Sequence, residues 1–345
     1  MKVLNFFYEN APKFEMNYER KVQISQTNII LKGPKKSGKK TLIFNFLSRF
    51  KPEEILFLDL SDIRFEKESL KQLGNFLQNH NQIKILCLYD IDFILNLQDI
   101  KIPIIVSTDK KKLHFKDFKE LWLDYFDFEE FISINKKNLP INHLVGLFLQ
   151  TGRSELSQKN ELLRQNFNFL ELEILKYLAK NLGQQISISK LFLELKTKIK
   201  TSKDSVYHAI KELDNSYIIY PIMHDEKKLQ KIYFRDFGLR NNLCIYKDFT
   251  HLFENIILNE LFKFQEDFFY NKYFHFFSKK LKIAYISSPT LDIDLIKIRA
   301  RKIVSKALEL GIYNVIFITL SSEESFLEQG VKFEILPFDK FALGF

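Results

Sequence analysis

Short apolar runs alternate with amphipathic segments over the first 150 residues of the chain. The apolar runs stand at residues 28–32, 55–60, 83–89 and 102–107. Between them, residues 41–50 and 70–79 place apolar side chains at the three- and four-residue spacing of a helix. Continuous apolar strands that alternate with helices indicate a parallel sheet covered on both faces. The sequence therefore predicts an α/β domain over residues 1–155.

Longer amphipathic helices follow Gly152. Apolar periodicity predicts helices over residues 167–182, 187–195 and 202–215, and a hairpin over residues 217–222 and 229–234. Three helices followed by a hairpin are typical of a winged helix, which we predict for residues 156–236. The remainder predicts a helix, a hairpin, a helix and a strand, at residues 249–264, 273–287, 299–310 and 314–320. Residues 237–345 should therefore form a second, smaller α/β domain.

Composition places the chain among ordinary globular proteins. Its 345 residues suit two or three domains, and 46% hydrophobic with 28% charged residues excludes wholesale disorder. The net charge of +9 favours binding to a polyanion such as nucleic acid or nucleotide phosphate. However, 36 Phe beside many Lys, Ile and Asn are also the bias that an AT-rich genome imposes. Both explanations of the charge stay open.

The chain shows no pattern of a membrane or secreted protein. Charged residues interrupt every apolar stretch before it reaches 18 residues, and Glu9 and Asn10 cut the first one short. Cys87 and Cys244 both stand in apolar surroundings, which favours buried, reduced thiols over a disulfide framework or a zinc site. We therefore expect a cytoplasmic protein with no membrane partner.

A loop rich in glycine and lysine follows the first predicted strand. Its residues are Gly33, Pro34, Lys35, Lys36, Ser37, Gly38, Lys39, Lys40 and Thr41. The two glycines and Lys39 have the spacing of a Walker A loop, whose backbone N–H groups surround phosphate oxygens. The following helix adds its positive N-terminal dipole, and Lys39 can reach the β and γ phosphates as a catalytic residue. We predict a nucleotide site here, the alternative being a basic surface turn.

The position after Lys39 departs from that motif. A Ser or Thr hydroxyl normally ligates Mg²⁺ there, but this chain has Lys40. Thr41, the candidate metal ligand, comes one residue late, which on a helix turns its side chain by about 100°. Because Lys40 can offset phosphate charge, nucleotide binding should survive this change more easily than hydrolysis.

Asp90 is the candidate acid of the second half of the site. It follows the apolar run at residues 83–89, so it should lie at a strand end as a catalytic and Mg²⁺-binding carboxylate. Ile91 replaces the Glu that many ATPases place next to activate water, and Asp92 is a weak substitute. Residues 107–109 could place a polar sensor near the γ-phosphate or form an ordinary turn.

Four stretches carry a resemblance to a known family. They are GPKKSGKKTL at residues 33–42, ILCLYD at 85–90, LWLDYFDFEEFIS at 121–133 and FENIILNELF at 253–262. Gly152 and Glu155 add a further point of likeness, a turn that begins with glycine and leads to an acid. Together they resemble a family of prokaryotic ATP-binding proteins. The resemblance implies an AAA-type P-loop domain, a winged helix and a C-terminal domain of degraded restriction-endonuclease-like fold.

The chain departs from that family at its catalytic positions. Lys40-Thr41 replaces Thr-Thr, and Asp90-Ile91 replaces Asp-Glu. In the C-terminal domain, residues 283–285 (Ile-Ala-Tyr) replace Ile-Asp-Phe, and residues 291–294 offer only a loose substitute for Glu-x-Lys. Metal-dependent cleavage needs an acid cluster and a lysine. We therefore do not expect nuclease activity.

Lysines also flank the third helix of the predicted winged helix. Lys203, His208 and Lys211 could contact DNA phosphates, whereas acids on the same helix oppose that contact. DNA binding, a solvated face and a contact with another domain all stay open. The leading hypothesis is an AAA-type P-loop protein that binds ATP, with weak or absent hydrolysis and interaction domains for DNA or a partner protein. The rival is a non-enzymatic scaffold with a vestigial phosphate loop.

Overall fold

The computed structural model describes residues 1–14, 19–135, 139–157, 159–289 and 292–344. The chain divides into two compact units. Unit 1 comprises Met1–Tyr125 and Asn215–Tyr217, and unit 2 comprises Phe126–Asp214 and Ile218–Phe345. Each unit has its own hydrophobic cores.

Unit 1 is a five-stranded parallel sheet with helices on both faces. Its elements are α1 (Lys2–Glu9), β1 (Ile29–Lys32), α2 (Lys39–Leu47), β2 (Ile55–Asp59), α3 (Leu73–Asn79), β3 (Ile85–Tyr89), β4 (Ile104–Thr108) and β5 (Lys119–Trp122). The strands lie in the order β2-β3-β4-β1-β5, all parallel. Ile30 packs in the core that includes α1 and α3, whereas Ile29 and Leu31 pack in the core that includes α2. This confirms the predicted parallel sheet.

The sequence missed one strand of this sheet. β5 pairs with β1 at its edge, with Leu31 opposite Leu121. Its residues read KELW, and Lys119 and Glu120 are exposed. An edge strand with charged side chains lacks the apolar run by which buried parallel strands are recognised.

Unit 2 is built around an eight-stranded mixed sheet. Its helices are α4 (Phe128–Ile134), α5 (Ile141–Thr151), α6 (Asn160–Asn166), α7 (Phe169–Lys180), α8 (Ile188–Lys196), α9 (Lys203–Asn215), α10 (Leu239–Leu243), α11 (Phe249–Leu261), α12 (Ile293–Glu309) and α13 (Phe338–Leu343). Its strands are β6 (Ile219–His224), β7 (Gln230–Phe234), β8 (Phe269–Tyr270), β9 (Phe276–Ser278), β10 (Ile283–Ser287), β11 (Asn314–Thr319), β12 (Glu324–Glu328) and β13 (Val331–Pro337). They lie in the order β12-β13-β11-β10-β9-β8-β6-β7.

The β6–β7 hairpin belongs to the same sheet as the C-terminal strands. β6 pairs with β8 in parallel, with Met223 opposite Phe269. The predicted helices over α7, α8 and α9 and the hairpin after them are present. The winged-helix and nuclease-like interpretations, and the domain boundaries after residues 155 and 236, stay predictions.

The two cysteines differ in burial. Cys87 is fully buried on β3, as predicted, and burial raises the pKa of its thiol. Cys244 is half-buried, in contrast to the prediction, because it follows the short helix α10 rather than lying inside an element. Within the described parts of the chain, none of the helices is both long and apolar enough to cross a membrane.

Candidate nucleotide-binding site

The loop of residues 33–38 joins β1 to α2 where the parallel strands end. Helix α2 begins at Lys39, and Gly38 caps it in the left-handed conformation with φ of 92°. Lys36 also has a positive φ, of 62°. Alternating left- and right-handed residues turn successive N–H groups toward one side of a loop, which forms a concave site for anions. The helix N-terminus adds its positive dipole to that site.

Gly33 is required because backbone atoms approach it closely. A Cβ at this position would lie 2.0 Å from the Leu123 carbonyl oxygen. The Leu123 N–H donates to the Lys32 carbonyl oxygen over 2.8 Å, which fixes that approach. On the neighbouring strand, the Thr108 carbonyl accepts from the Gly33 N–H over 3.2 Å. The start of the loop is therefore held between β4 and the chain after β5.

Lys39 points into the loop. Its side chain is buried, and Nζ donates to the Gly33 and Pro34 carbonyl oxygens, each over 2.7 Å. Burial lowers the pKa of Lys39 to about 8, although the charges of Asp109 and Asp90 oppose that shift. An ammonium group held by two neutral carbonyls still lacks a full countercharge, and a phosphate would provide it.

Two side chains outside the motif brace the loop. Arg20 donates from Nη1 to the Ser37 carbonyl oxygen over 2.6 Å and from Nη2 to the Asp124 carbonyl oxygen over 2.9 Å. The Tyr125 hydroxyl donates to the Lys35 carbonyl oxygen over 2.9 Å. The Ser37 hydroxyl is buried and has no hydrogen-bond partner in the described part of the chain. It is therefore available to a ligand inside the loop.

Asp90 and Asp109 lie at the ends of two adjacent strands, β3 and β4. Since β4 lies between β1 and β3, Asp90 is about 9.5 Å across the sheet from the strand that carries the loop. Burial and the charge of Asp109 raise the pKa of Asp90, while Lys39 and Lys35 lower it. The sheet thus brings the predicted residues Lys39 and Asp90 close enough for each charge to shift the pKa of the other.

The backbone at Asp90 is held in an unusual conformation. Its φ is 61°, a left-handed value that non-glycine residues rarely adopt. The next residue fixes it: the Ile91 N–H donates to the Ser107 carbonyl over 2.9 Å, and the Thr108 hydroxyl donates to the Ile91 carbonyl over 2.7 Å. Strained backbone of this kind concentrates at functional sites. The proposed sensor role of residues 107–109 stays a prediction.

Lys40 pairs with an acid that the sequence analysis did not single out. Its Nζ lies 2.9 Å from Asp59 Oδ2, at the end of β2. Asp59 follows the apolar run ILFL just as Asp90 follows ILCLY, so the same strand-end signal could have found it. Thr41 is half-buried on the first turn of α2, and its role as a metal ligand stays a prediction.

Asp92 lies outside this arrangement. It is exposed, and its Oδ1 lies 3.4 Å from Lys67 Nζ. A general base must be within hydrogen-bond reach of its water, directly or through another water. The exposed pairing with Lys67 gives no support to Asp92 as a substitute for the missing Glu.

Two of the positions that the resemblance compares with a nuclease site have structural contacts in unit 2. Ala284 is buried in β10, and Asp292 caps α12 by accepting from the Asp294 N–H over 2.8 Å. Leu291, part of the loose Glu-x-Lys substitute, lies outside the described residues. Among the described residues, no three His, Cys, Asp or Glu side chains converge as a metal site.

No protein-family model matches the chain, and no curated protein matches it. A Walker-type ATPase of Pyrococcus abyssi is similar in structure, with a TM-score of 0.44 and 13% identity over 62% of this chain and 90% of that chain. A structure of Drosophila ORC bound to AT-rich DNA and Cdc6 gives a TM-score of 0.19 and 14% identity over 69% and 86%. Both TM-scores are below 0.5, so the function must be argued from the loop itself. The mixed α/β fold of unit 1, with its five parallel strands, is consistent with a P-loop domain.

Proposed function

We propose that unit 1 binds a nucleoside triphosphate such as ATP through residues 33–41. Lys39 carries the proposal, because its buried ammonium lies inside the loop and is held by the Gly33 and Pro34 carbonyl oxygens. Removing an ammonium from water is costly unless a countercharge compensates. A triphosphate in the loop would supply that charge, and the Ser37 hydroxyl would gain a partner.

Hydrolysis should be weak or absent. Attack on the γ-phosphate needs a group that orients or deprotonates water. Ile91 occupies the position after Asp90, and its side chain is buried. Asp92 is exposed and paired with Lys67. Asp90 alone would therefore have to serve both as a charge near the phosphates and as the catalytic acid or base.

Unit 2 would then act as an interaction module for DNA or a partner protein. Helix α9 exposes Lys203, Tyr207, His208 and Lys211. The acids on the same helix that oppose DNA binding are the exposed Asp204 and the half-buried Glu212 and Asp214. The Lys211 ammonium lies 4.9 Å from the Tyr207 ring centre. If this face binds DNA, log affinity must fall steeply with log salt concentration. A flat response in an anisotropy titration would exclude DNA and leave a protein partner.

Titration with a fluorescent ATP analogue tests the proposed site. Lys39→Ala should weaken binding by about 100-fold, the loss expected for one charge-assisted contact in a buried site. Lys67→Ala is the matched control, because Lys67 is exposed on the same unit and pairs with Asp92. Unchanged binding by Lys39→Ala would remove the loop from the proposal.

The same proteins decide between the two hypotheses. Wild-type protein that binds ATP but releases no phosphate above background supports a binding protein with little hydrolysis. Rapid phosphate release that depends on Lys39 would overturn that part of the proposal. A wild-type protein that binds no nucleotide would favour the scaffold with a vestigial loop.

A further inference from the structure

Lys40 occupies a place built for a cation. Its Nζ lies 2.9 Å from Asp59 Oδ2 and within 5.3 to 5.8 Å of the ring centres of Tyr89, Phe57 and Phe44. Aromatic faces attract cations through their quadrupoles, in addition to the attraction of the carboxylate. Because 45% of the Lys40 side chain is exposed, the ammonium can exchange one anionic partner for another.

The two consecutive lysines of α2 face different carboxylates along the sheet edge. Besides burial, the charges that act most on the pKa of Lys39 are those of Asp109 and Asp90, at the ends of β4 and β3. Lys40 pairs with Asp59, at the end of β2. In register, Asp59 lies opposite Tyr89, the residue before Asp90. The Lys40 ammonium therefore lies near the ends of β2 and β3.

Carboxylates of Asp59, Asp90 and Asp109 stand at this edge, but the first turn of α2 does not offer the hydroxyl ligand that a magnesium ion would need beside them. Mg²⁺ takes oxygen ligands in a near-octahedral arrangement and keeps several of its waters. At the position where a hydroxyl would ligate it, the chain has the Lys40 ammonium, and Thr41 is turned away from Lys40 by about 100° along the helix. A divalent cation here would be repelled by the positive charge of the Lys40 ammonium.

We propose that the loop takes its nucleoside triphosphate free of a divalent cation, with the Lys40 ammonium supplying the positive charge beside the phosphates. This inference rests on the proposed nucleotide site. On binding, Lys40 Nζ leaves Asp59 Oδ2 for a phosphate oxygen, while Lys39 Nζ leaves the two loop carbonyls. The preferred ligand is then the free, highly anionic triphosphate, and the metal complex binds less well because the cation already cancels part of its negative charge.

Nucleotide titrations with and without metal test this inference. ATP affinity is measured by calorimetry in EDTA and in excess Mg²⁺, for wild type, Lys40→Ser and the control Lys67→Ser. Wild type and the control should bind ATP at least as tightly in EDTA as in Mg²⁺. Lys40→Ser should lose about tenfold or more in EDTA and should bind more tightly when Mg²⁺ is present.

The outcomes separate this inference from the proposed function. Wild type that binds ATP only in Mg²⁺ overturns the metal-free inference but leaves the nucleotide site intact. Wild type that binds ATP in neither buffer overturns the nucleotide site. Lys40→Ser that keeps wild-type affinity in EDTA overturns the role of Lys40.

A second variant guards against misfolding of Lys40→Ser, which a thermal melt without nucleotide would reveal. Asp59→Asn releases Lys40 from its partner and should strengthen metal-free binding several-fold, because the ammonium no longer has to break an ion pair. Unchanged or weaker binding of metal-free ATP by Asp59→Asn contradicts the exchange of partners by Lys40.

Discussion

Two buried charges, Glu254 in unit 2 and Lys39 in unit 1, differ in how the protein satisfies them. Oε1 of Glu254 accepts from Lys231 Nζ over 3.0 Å and from the Tyr233 hydroxyl. The protein therefore supplies Glu254 with both a countercharge and a neutral donor. Lys39 donates to two backbone carbonyl oxygens, and the nearby carboxylates of Asp109 and Asp90 act on it through their charge alone.

The polar atoms around the two charged groups show the same difference. Next to Lys39, the buried Ser37 hydroxyl and Asp109 Oδ2 lack hydrogen-bond partners among the described residues. Buried polar atoms are almost always paired, so a group of unpaired atoms around an ammonium indicates a place for a ligand. Glu254, whose Oε1 has a lysine and a tyrosine as partners, indicates a structural role. Burial alone therefore does not distinguish a binding site from a structural core.

The largest loss of stability should come from breaking the ion pair between Glu254 and Lys231. Glu254→Gln leaves the Lys231 ammonium without its countercharge, which should cost about 3–5 kcal/mol of unfolding free energy. Urea unfolding measures the loss, and Lys39→Ala should show no comparable loss. Equal destabilisation by the two variants would contradict the distinction between a structural Glu254 and a ligand-binding Lys39.

Gly33→Ala should be the next most damaging change. Its Cβ would meet the Leu123 carbonyl oxygen at 2.0 Å, and displacing that backbone should cost about 3 kcal/mol. Nucleotide binding should be lost with it. Gly74→Ala is the control, because nothing lies within 4 Å of its Cβ on α3 and Ala favours a helix. A Gly33→Ala protein as stable as Gly74→Ala would contradict the close approach.

Nucleotide affinity should depend on pH through Lys39. The free site holds Lys39 at a pKa of about 8, and a bound triphosphate raises that pKa, so the complex retains a proton that the free site loses. Affinity should therefore fall as pH rises through 8, by about 30-fold between pH 7 and pH 9.5. Lys39→Ala should bind weakly with no such slope. A flat wild-type profile would mean that the phosphates do not contact Lys39.

The smallest effect concerns His275, which lies near Glu254. Burial lowers the pKa of His275 to about 4, and Nδ1 accepts from the Ser287 N–H over 3.0 Å. Because the unfolded chain binds this proton at higher pH, stability present above pH 6.5 should be lost as pH falls toward 4. Since the ring is partly exposed, the loss of unfolding free energy should be about 1–2 kcal/mol. The fall in the urea midpoint from pH 7 to pH 4.5 should be smaller in His275→Gln than in wild type. An equal fall in the two proteins would contradict a role for His275.

The sequence predicts the frame of unit 1 well because its signals are local. Apolar runs identify β1 to β4, and glycine spacing identifies the loop. The braces Arg20 and Tyr125 contact the loop from distant parts of the sequence, so local patterns could not reveal them. The pairing of Lys40 with Asp59 depends on the packing of α2 against β2. Helix periodicity in unit 2 was informative, but the order of its eight strands depends on long-range pairing.

The most direct test of metal-free nucleotide binding by this loop is a crystal structure with a non-hydrolysable ATP analogue in EDTA. We expect the triphosphate to lie in the loop of residues 33–41, with phosphate oxygens within hydrogen-bond distance of Lys39 Nζ and Ser37 Oγ. Lys39 should then have left the Gly33 and Pro34 carbonyls. A crystal grown in excess analogue, in which no triphosphate lies in the loop and Lys39 still donates to both carbonyls, would contradict metal-free binding at this site.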